Sequence, residues 1–120
     1  MTLDARAMVL LARRGPGHEL IVDALAKDDV PRVCATALAE TAILLHATGD
    51  TRAEFTVQAL VDRLNLTVVP FTQSDWKAAA RTYQEAIKTA GSRPTLGGCL
   101  TAAVAVNTSS PLAHGLRTVG

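Results

Sequence analysis

Aromatic residues and cysteines are scarce in this chain of 120 residues, which has one Trp, one Tyr, two Phe and two Cys, while its eight Gly are an ordinary share. Two cysteines are too few for a disulfide scaffold, and the glycine content excludes a collagen-like fibre. At 48% hydrophobic and 19% charged residues, the composition also excludes a disordered chain. It predicts one globular domain over residues 1–120, with a core of Ala, Leu and Val.

A long apolar run is also lacking. The run near the start of the chain, Ala7 to Ala12, is far shorter than the roughly 20 residues of a membrane span. Asp4 precedes this run and Arg13-Arg14 follows it, which is the reverse of a secretory signal. We therefore expect a cytoplasmic protein without a membrane segment, in which Cys34 and Cys99 are reduced and buried.

Acidic residues are missing from the last third of the chain. Twelve Lys and Arg against eleven Asp and Glu give a net charge of +1, which predicts no strong attraction to nucleic acid or membranes. Because Glu85 is the last acid, any carboxylate cluster must come from the first 85 residues. Lys77, Arg81 and Lys88 fall near one face of a predicted helix, and their spacing favours a solvated face over an RNA-binding track.

Short apolar runs that suit strands alternate with helical patterns along the chain. Strands are predicted at Thr2 to Asp4, Arg32 to Ala35, Leu66 to Val69 and Pro111 to Ala113. Helices are predicted at Ala5 to Arg14, His18 to Lys27, Thr36 (as the cap) to about Thr48, Asp50 or Thr51 to Leu64, Thr72 (as the cap, in a capping box with Asp75) to Gly91, and Leu96 to Val106. This order predicts an α/β domain whose central parallel sheet of about four strands is flanked by helices.

Two acids stand in positions where chemistry is expected. Glu40 is the only charged residue between Val33 and Gly49, and Asp4 lies where the first strand ends. Ligands of α/β sheets bind at the carboxyl ends of the strands, and paired carboxylates there can hold Mg²⁺. Alternatively, Glu40 forms a salt bridge with an Arg and Asp4 caps the first helix. The residues alone leave both interpretations open.

Other familiar site patterns do not occur. The three histidines, His18, His46 and His114, lack the spacing of metal ligands. The glycine-containing stretch 91–98 lacks the lysine of a phosphate-binding loop. Nothing in the sequence marks a nucleophile elbow.

Four segments together carry a resemblance to a known family. They read LDARAMV, VPRVCATALAETAILLHATGD, LTVVPFTQSDWKAAARTYQEA and TLGGCLTAAVAVNTSSPLAHG, at matching separations over nearly the whole chain. The chain resembles the PIN-domain toxins of the VapC type. The resemblance implies a Mg²⁺- or Mn²⁺-dependent endoribonuclease with an RNA substrate, a homodimeric state, and inhibition by a small cognate antitoxin of the VapB type.

The resemblance also implies roles for particular residues. Asp4 and Glu40 match the first two acids of the family site, so both are expected to be catalytic and to bind the metal. The position of the third acid holds Gly98, and the region of the fourth holds Leu116 and Arg117. With two acids missing, we expect impaired catalysis and weak metal binding, because Mg²⁺ can be held by one or two carboxylates together with substrate phosphates.

Two arginines add to this expectation. Arg6 stands where the family has a small hydroxylated residue, and Arg117 lies in the region of the fourth acid. A guanidinium group pairs well with carboxylates and would compete with a metal ion for them.

Two further interpretations remain open at this point. One is a non-catalytic PIN module that dimerises and binds an antitoxin-like partner. The other is an unrelated small α/β binding domain. Metal-dependent RNA cleavage separates an active toxin from a non-catalytic module, and a co-purifying small partner separates that module from an unrelated domain.

Overall fold

Strands and helices alternate in the computed structural model, which describes residues 1–28, 30–91, 93–108 and 112–113. The strands are β1 (Thr2–Leu3), β2 (Arg32–Cys34), β3 (Thr67–Val69) and β4 (Leu112–Ala113). The helices are α1 (Ala5–Arg13), α2 (His18–Ala26), α3 (Ala35–Ala47), α4 (Ala53–Arg63), α5 (Trp76–Ala90) and α6 (Leu96–Asn107).

The four strands form one parallel sheet in the order β3-β2-β1-β4. Thr2 pairs in register with Arg32 on one side and with Leu112 on the other. The predicted α/β fold with a parallel sheet flanked by helices is therefore confirmed. Because all strands run the same way, their carboxyl ends meet at one edge, which is where β1 and β2 lead into α1 and α3.

The core forms where α1 packs against α2, α3 and α4. Leu3, Met8 and Val33 are fully buried there, and Ile21 and Leu45 are nearly so. Burying one such side chain contributes roughly 1.5–3 kcal/mol to folding. Both cysteines are buried and free, as the sequence predicts. Within the described residues, no helix is long and apolar enough to span a membrane.

The start of α3 differs from the prediction. Thr36 was expected to cap this helix, but the helix begins at Ala35 and Cys34 occupies the cap position. The Thr36 hydroxyl instead lies 3.0 Å from the Cys34 sulfur. The chain passes from β2 into α3 without a loop, so no residue is available between them for a separate cap.

Helix α4 also begins later than predicted. Its first residue is Ala53 rather than Asp50 or Thr51. The side chain of Asp50 accepts a hydrogen bond from the Arg52 N–H at 2.8 Å, which holds residues 50–52 in a turn before the helix. Short side chains such as Asp compete with helix formation in this way.

Helix α5 begins at Trp76, later than a cap at Thr72 predicts, because residues 73–75 form a turn that Asp75 closes by bonding back to Thr72. The Asp75 carboxylate accepts hydrogen bonds from the Thr72 N–H at 2.7 Å and from the Thr72 hydroxyl at 3.0 Å. The Asn107 amide at the end of α6 also donates to it. These bonds, that from the Thr72 N–H first, lower the pKa of Asp75 and connect the start of α5 to the end of α6.

The other ends of helices and strands lie close to the residues predicted for them. Gly91 ends α5 with φ 67°, a left-handed conformation that suits glycine. Lys77, Arg81 and Lys88 are exposed on α5, as a solvated face requires. The prediction that the last strand starts at Pro111 falls on a residue outside the described part of the chain.

Candidate metal-binding site

Asp4 lies at the carboxyl edge of the sheet, where β1 gives way to α1. It is the N-cap of α1, and its Oδ1 accepts a hydrogen bond from the Ala7 N–H at 2.8 Å. Only 4% of the residue is exposed. The capping role considered from the sequence is therefore correct, and it holds the carboxylate in place at the edge where ligands of α/β sheets bind.

Glu40 lies in α3, the helix that follows β2 directly, and it is half-buried. Its burial raises the pKa of its carboxyl group above 4.5, and the negative charge of Asp4 raises it further. The charge of Asp4 therefore acts on the Glu40 carboxyl group. Among the described residues, no Arg, Arg6 included, forms an ion pair with Glu40, so that part of the chain gives no support to the salt-bridge alternative.

The first turn of α6 lies against the Glu40 carboxylate. A Cβ atom placed on Gly97 would lie 2.6 Å from Oε2 of Glu40 and closer still to Oε1. The carboxylate therefore sits against the backbone of a helix N-terminal turn, where the helix dipole favours negative charge. Glu40 of α3 therefore faces the start of α6.

Gly98 occupies the same first turn of α6, one residue beyond the contact with Glu40. Its N–H donates to the cap hydroxyl of Thr95 at 3.0 Å. Because it has no side chain, α6 contributes no carboxylate here. The described residues contain no group of three or more His, Cys, Asp or Glu that could hold a metal ion. His114, Leu116 and Arg117 lie outside the described residues.

Asp4 and Glu40 supply only part of the ligand set of a divalent cation. Carboxylate oxygens are the ligands that Mg²⁺ prefers, and Mg²⁺ is commonly held by one or two carboxylates with water or phosphate oxygens completing the shell. Asp4 and Glu40 are the residues that would hold it. Arg6 is exposed and lines a groove of about 400 Å³ between α1 and α3 that neither acid lines.

Sequence reasoning missed the part that Gly97 plays. The resemblance directed attention to Gly98 as the position of a missing acid, whereas it is Gly97 that contacts Glu40. Two consecutive glycines in the first turn of a helix are unfavourable for helix formation, but they do not indicate which side chain lies against them.

The fold and these two acids define a class of protein, a small α/β domain with carboxylates near the carboxyl edge of its parallel sheet. The model of the PIN domain family matches residues 1–114, and the chain belongs to this family. The resemblance to VapC-type toxins that the sequence indicates is thereby confirmed at the level of the family and its relatives.

Two relatives carry ribonuclease names. A VapC ribonuclease of Mycobacterium bovis and ribonuclease VapC28 of Mycobacterium tuberculosis are each 27% identical to this chain over 114 residues. Each alignment covers 93% of this chain and 86% of the relative.

Two solved structures share the fold. VapC20 of M. tuberculosis, described as a sarcin–ricin-loop-cleaving toxin, superposes with a TM-score of 0.70 at 16% identity and covers 94% of this chain and 87% of its own. VapBC2 from Rickettsia felis, bound to a promoter DNA fragment, superposes with a TM-score of 0.71 at 14% identity and covers 92% and 83%.

The raised pKa of Glu40 predicts that this carboxylate destabilises the metal-free fold. A carboxyl group whose folded pKa is raised favours the protonated form, so its ionisation lowers stability at pH values above that pKa. Glu40→Gln should therefore raise the melting temperature in EDTA at neutral pH. The difference from wild type should shrink as the pH falls towards 4.5 and disappear below it.

Glu54→Gln is the matched control for this measurement. Glu54 is an exposed carboxylate whose pKa is lowered, chiefly by its hydrogen bond with His46, so its removal should give no gain in melting temperature. A lower melting temperature for Glu40→Gln at neutral pH would show that the Glu40 carboxylate makes net favourable contacts, contrary to this prediction.

Proposed function

We propose that this protein is a VapC-type toxin, an endoribonuclease that acts on RNA with Mg²⁺ or Mn²⁺ held by Asp4 and Glu40, and that its catalysis is impaired. The observation that carries the proposal is the pair of close carboxylates at the carboxyl edge of a PIN-domain sheet. The ribonuclease names of the two relatives support the same activity.

The chain's own part in this chemistry is to hold two negative charges in fixed positions. Asp4 is fixed by its capping bond to α1, and Glu40 by the packing of α3 against α6. A divalent ion bound there supplies charge neutralisation at a phosphate and lowers the pKa of a water molecule. The mutual repulsion of the two carboxylates, which the cation relieves, favours its binding.

The impairment follows from the number of carboxylates. The described residues contain no group of three or more His, Cys, Asp or Glu that could hold a metal ion, and the first turn of α6 has Gly98 in place of an acid. Two carboxylates hold Mg²⁺ weakly unless substrate phosphates complete its shell. We therefore propose metal binding that depends on the RNA, and slow turnover.

An RNase assay with Mg²⁺ or Mn²⁺ tests the activity. We expect weak cleavage of RNA that EDTA abolishes. Asp4→Asn is the informative variant, because Asn is as good a helix cap as Asp but carries no charge. It should lower the rate by about 100-fold or more, which is typical for the loss of one group that stabilises a transition state. Cleavage that persists in Asp4→Asn would come from a contaminating nuclease and would contradict the proposal.

Restoring the third acid tests the impairment. Gly98 does not have a left-handed φ, and a Cβ there would meet only the end of the Thr95 side chain, at 2.8 Å. Gly98→Asp should therefore fold and strengthen Mn²⁺ binding. With free Mn²⁺ about tenfold above Kd, linkage raises stability by about 1.4 kcal/mol, a shift in melting temperature of about 5 °C.

The wild-type protein should gain much less stability from the same Mn²⁺ concentration. The control is Gly98→Ala, which adds the Cβ without the charge. An equally large Mn²⁺ stabilisation of wild type and Gly98→Asp would mean that Asp4 and Glu40 already form a complete site.

A homodimer is the proposed assembly, formed through an apolar surface on α5 and α6. The groove between these helices has a volume of about 440 Å³ and is lined chiefly by Phe71, Trp76, Tyr83, Leu96 and Leu100. Trp76 is 55% exposed and Leu96 is 77% exposed. Apolar surfaces of this kind mark contacts between proteins.

Light scattering at tens of micromolar protein tests the dimer. We expect a dimer for wild type and a monomer for Trp76→Glu. Leu20→Glu is the control, since Leu20 is 63% exposed but lies on α2, away from the groove. A wild-type monomer at this concentration would contradict the proposal.

The proposed partner is a small cognate antitoxin of the VapB type, as the VapBC2 structure suggests. Loss of the third acid in α6 also supports an alternative function, that of a non-catalytic PIN module that dimerises and binds such a partner. An absence of RNase activity together with a co-purifying small partner would favour this alternative function.

We propose that the protein acts in the cytoplasm as a single domain over residues 1–120.

A further inference from the structure

Position 97 in the first turn of α6 has no room for a side chain. The three heavy atoms nearest to a Cβ placed on Gly97 are Oε1, Cδ and Oε2 of Glu40, and the most distant of these is 2.6 Å away. Real Cβ contacts essentially never fall below 3.0 Å. Any other residue here would displace the Glu40 carboxylate or separate α3 from α6.

The backbone gives no other reason for glycine at this position. Gly97 lies within α6 and does not have a left-handed φ, so alanine could adopt its conformation. Glycine is also the poorer helix former of the two. The three heavy atoms nearest to the added Cβ all belong to Glu40, so its carboxylate is the first group that a side chain at position 97 would meet.

We propose that Gly97 is a positioning residue for the metal site: its missing side chain lets the Glu40 carboxylate lie against α6 and stay beside Asp4. The proposal rests on the proposed function, because metal binding by Asp4 and Glu40 is itself proposed. With a methyl group at position 97, the Glu40 carboxylate moves away from α6, and the two carboxylates no longer share one cation in the same geometry. Supporting groups of this kind change metal affinity by about 10- to 100-fold.

Mn²⁺ binding measured by electron paramagnetic resonance is the first test. Gly97→Ala should bind Mn²⁺ about tenfold more weakly than wild type. Gly98→Ala is the matched control, because it makes the same substitution in the same helical turn but meets only Thr95. Its affinity should stay within about twofold of wild type. Equal Mn²⁺ affinities for Gly97→Ala and wild type would overturn the proposal.

Melting temperatures in EDTA provide a second test that needs no metal. The change in melting temperature caused by Gly97→Ala should differ between wild type, where the added methyl group displaces the Glu40 carboxylate, and a Glu40→Ala background. In the Glu40→Ala background the contact with the Glu40 carboxylate is gone, and the same substitution should leave the melting temperature unchanged or raise it, since alanine is the better helix former. Equal changes in the two backgrounds would show that Gly97 and Glu40 are not coupled and would also overturn the proposal.

The two tests separate this proposal from the proposed function. If wild type binds no Mn²⁺, the Asp4–Glu40 metal site fails, and the melting temperatures then decide by themselves whether Gly97 sets the position of Glu40. If wild type binds Mn²⁺ but Gly97→Ala binds it equally well, the metal site stands and the positioning role fails.

Discussion

The hydrogen bond from the Ala7 N–H to the Asp4 carboxylate is the interaction on which the site depends. It ends β1, begins α1 and fixes a nearly buried carboxylate at the edge of the sheet. The buried face of α1 then packs against three other helices, so the same bond joins the core to the site. A cap of this kind stabilises a helix by about 1 kcal/mol. Here it also holds the Asp4 carboxylate in a fixed orientation.

The second carboxylate is held by a different balance of forces. Glu40 is brought to the site because β2 runs directly into α3, and it is then confined by the backbone of α6. Its burial and the charge of Asp4 both oppose ionisation. The packing of α3 against α6 must therefore offset this electrostatic cost, and that packing is possible because position 97 has no side chain.

The sequence predicts the order of elements well because each strand is a short apolar run bounded by Gly, Pro or a cap. It predicts helix starts less well, since Asp50 and Asp75 each accept a backbone hydrogen bond within the turn that comes before the helix, and this delays the helix start. Asp4 and Glu40 could be found because they interrupt apolar segments. The contact of Gly97 with Glu40 could not be found, because it depends on how two helices far apart in sequence pack together.

The electrostatics of this site connect its stability with its proposed function. Each carboxylate added at the sheet edge repels the others when no cation is present, and each one removed weakens the hold on a cation. Because position 98 in α6 is Gly and not an acid, the metal-free fold has one carboxylate fewer to repel the others. The same absence removes one possible ligand of a cation. The opposite holds at position 40, where an acid is present. Glu40 has a partly desolvated carboxyl group that the charge of Asp4 affects, and it forms no ion pair among the described residues. Folding alone gives no reason for an acid there, whereas binding of a cation does.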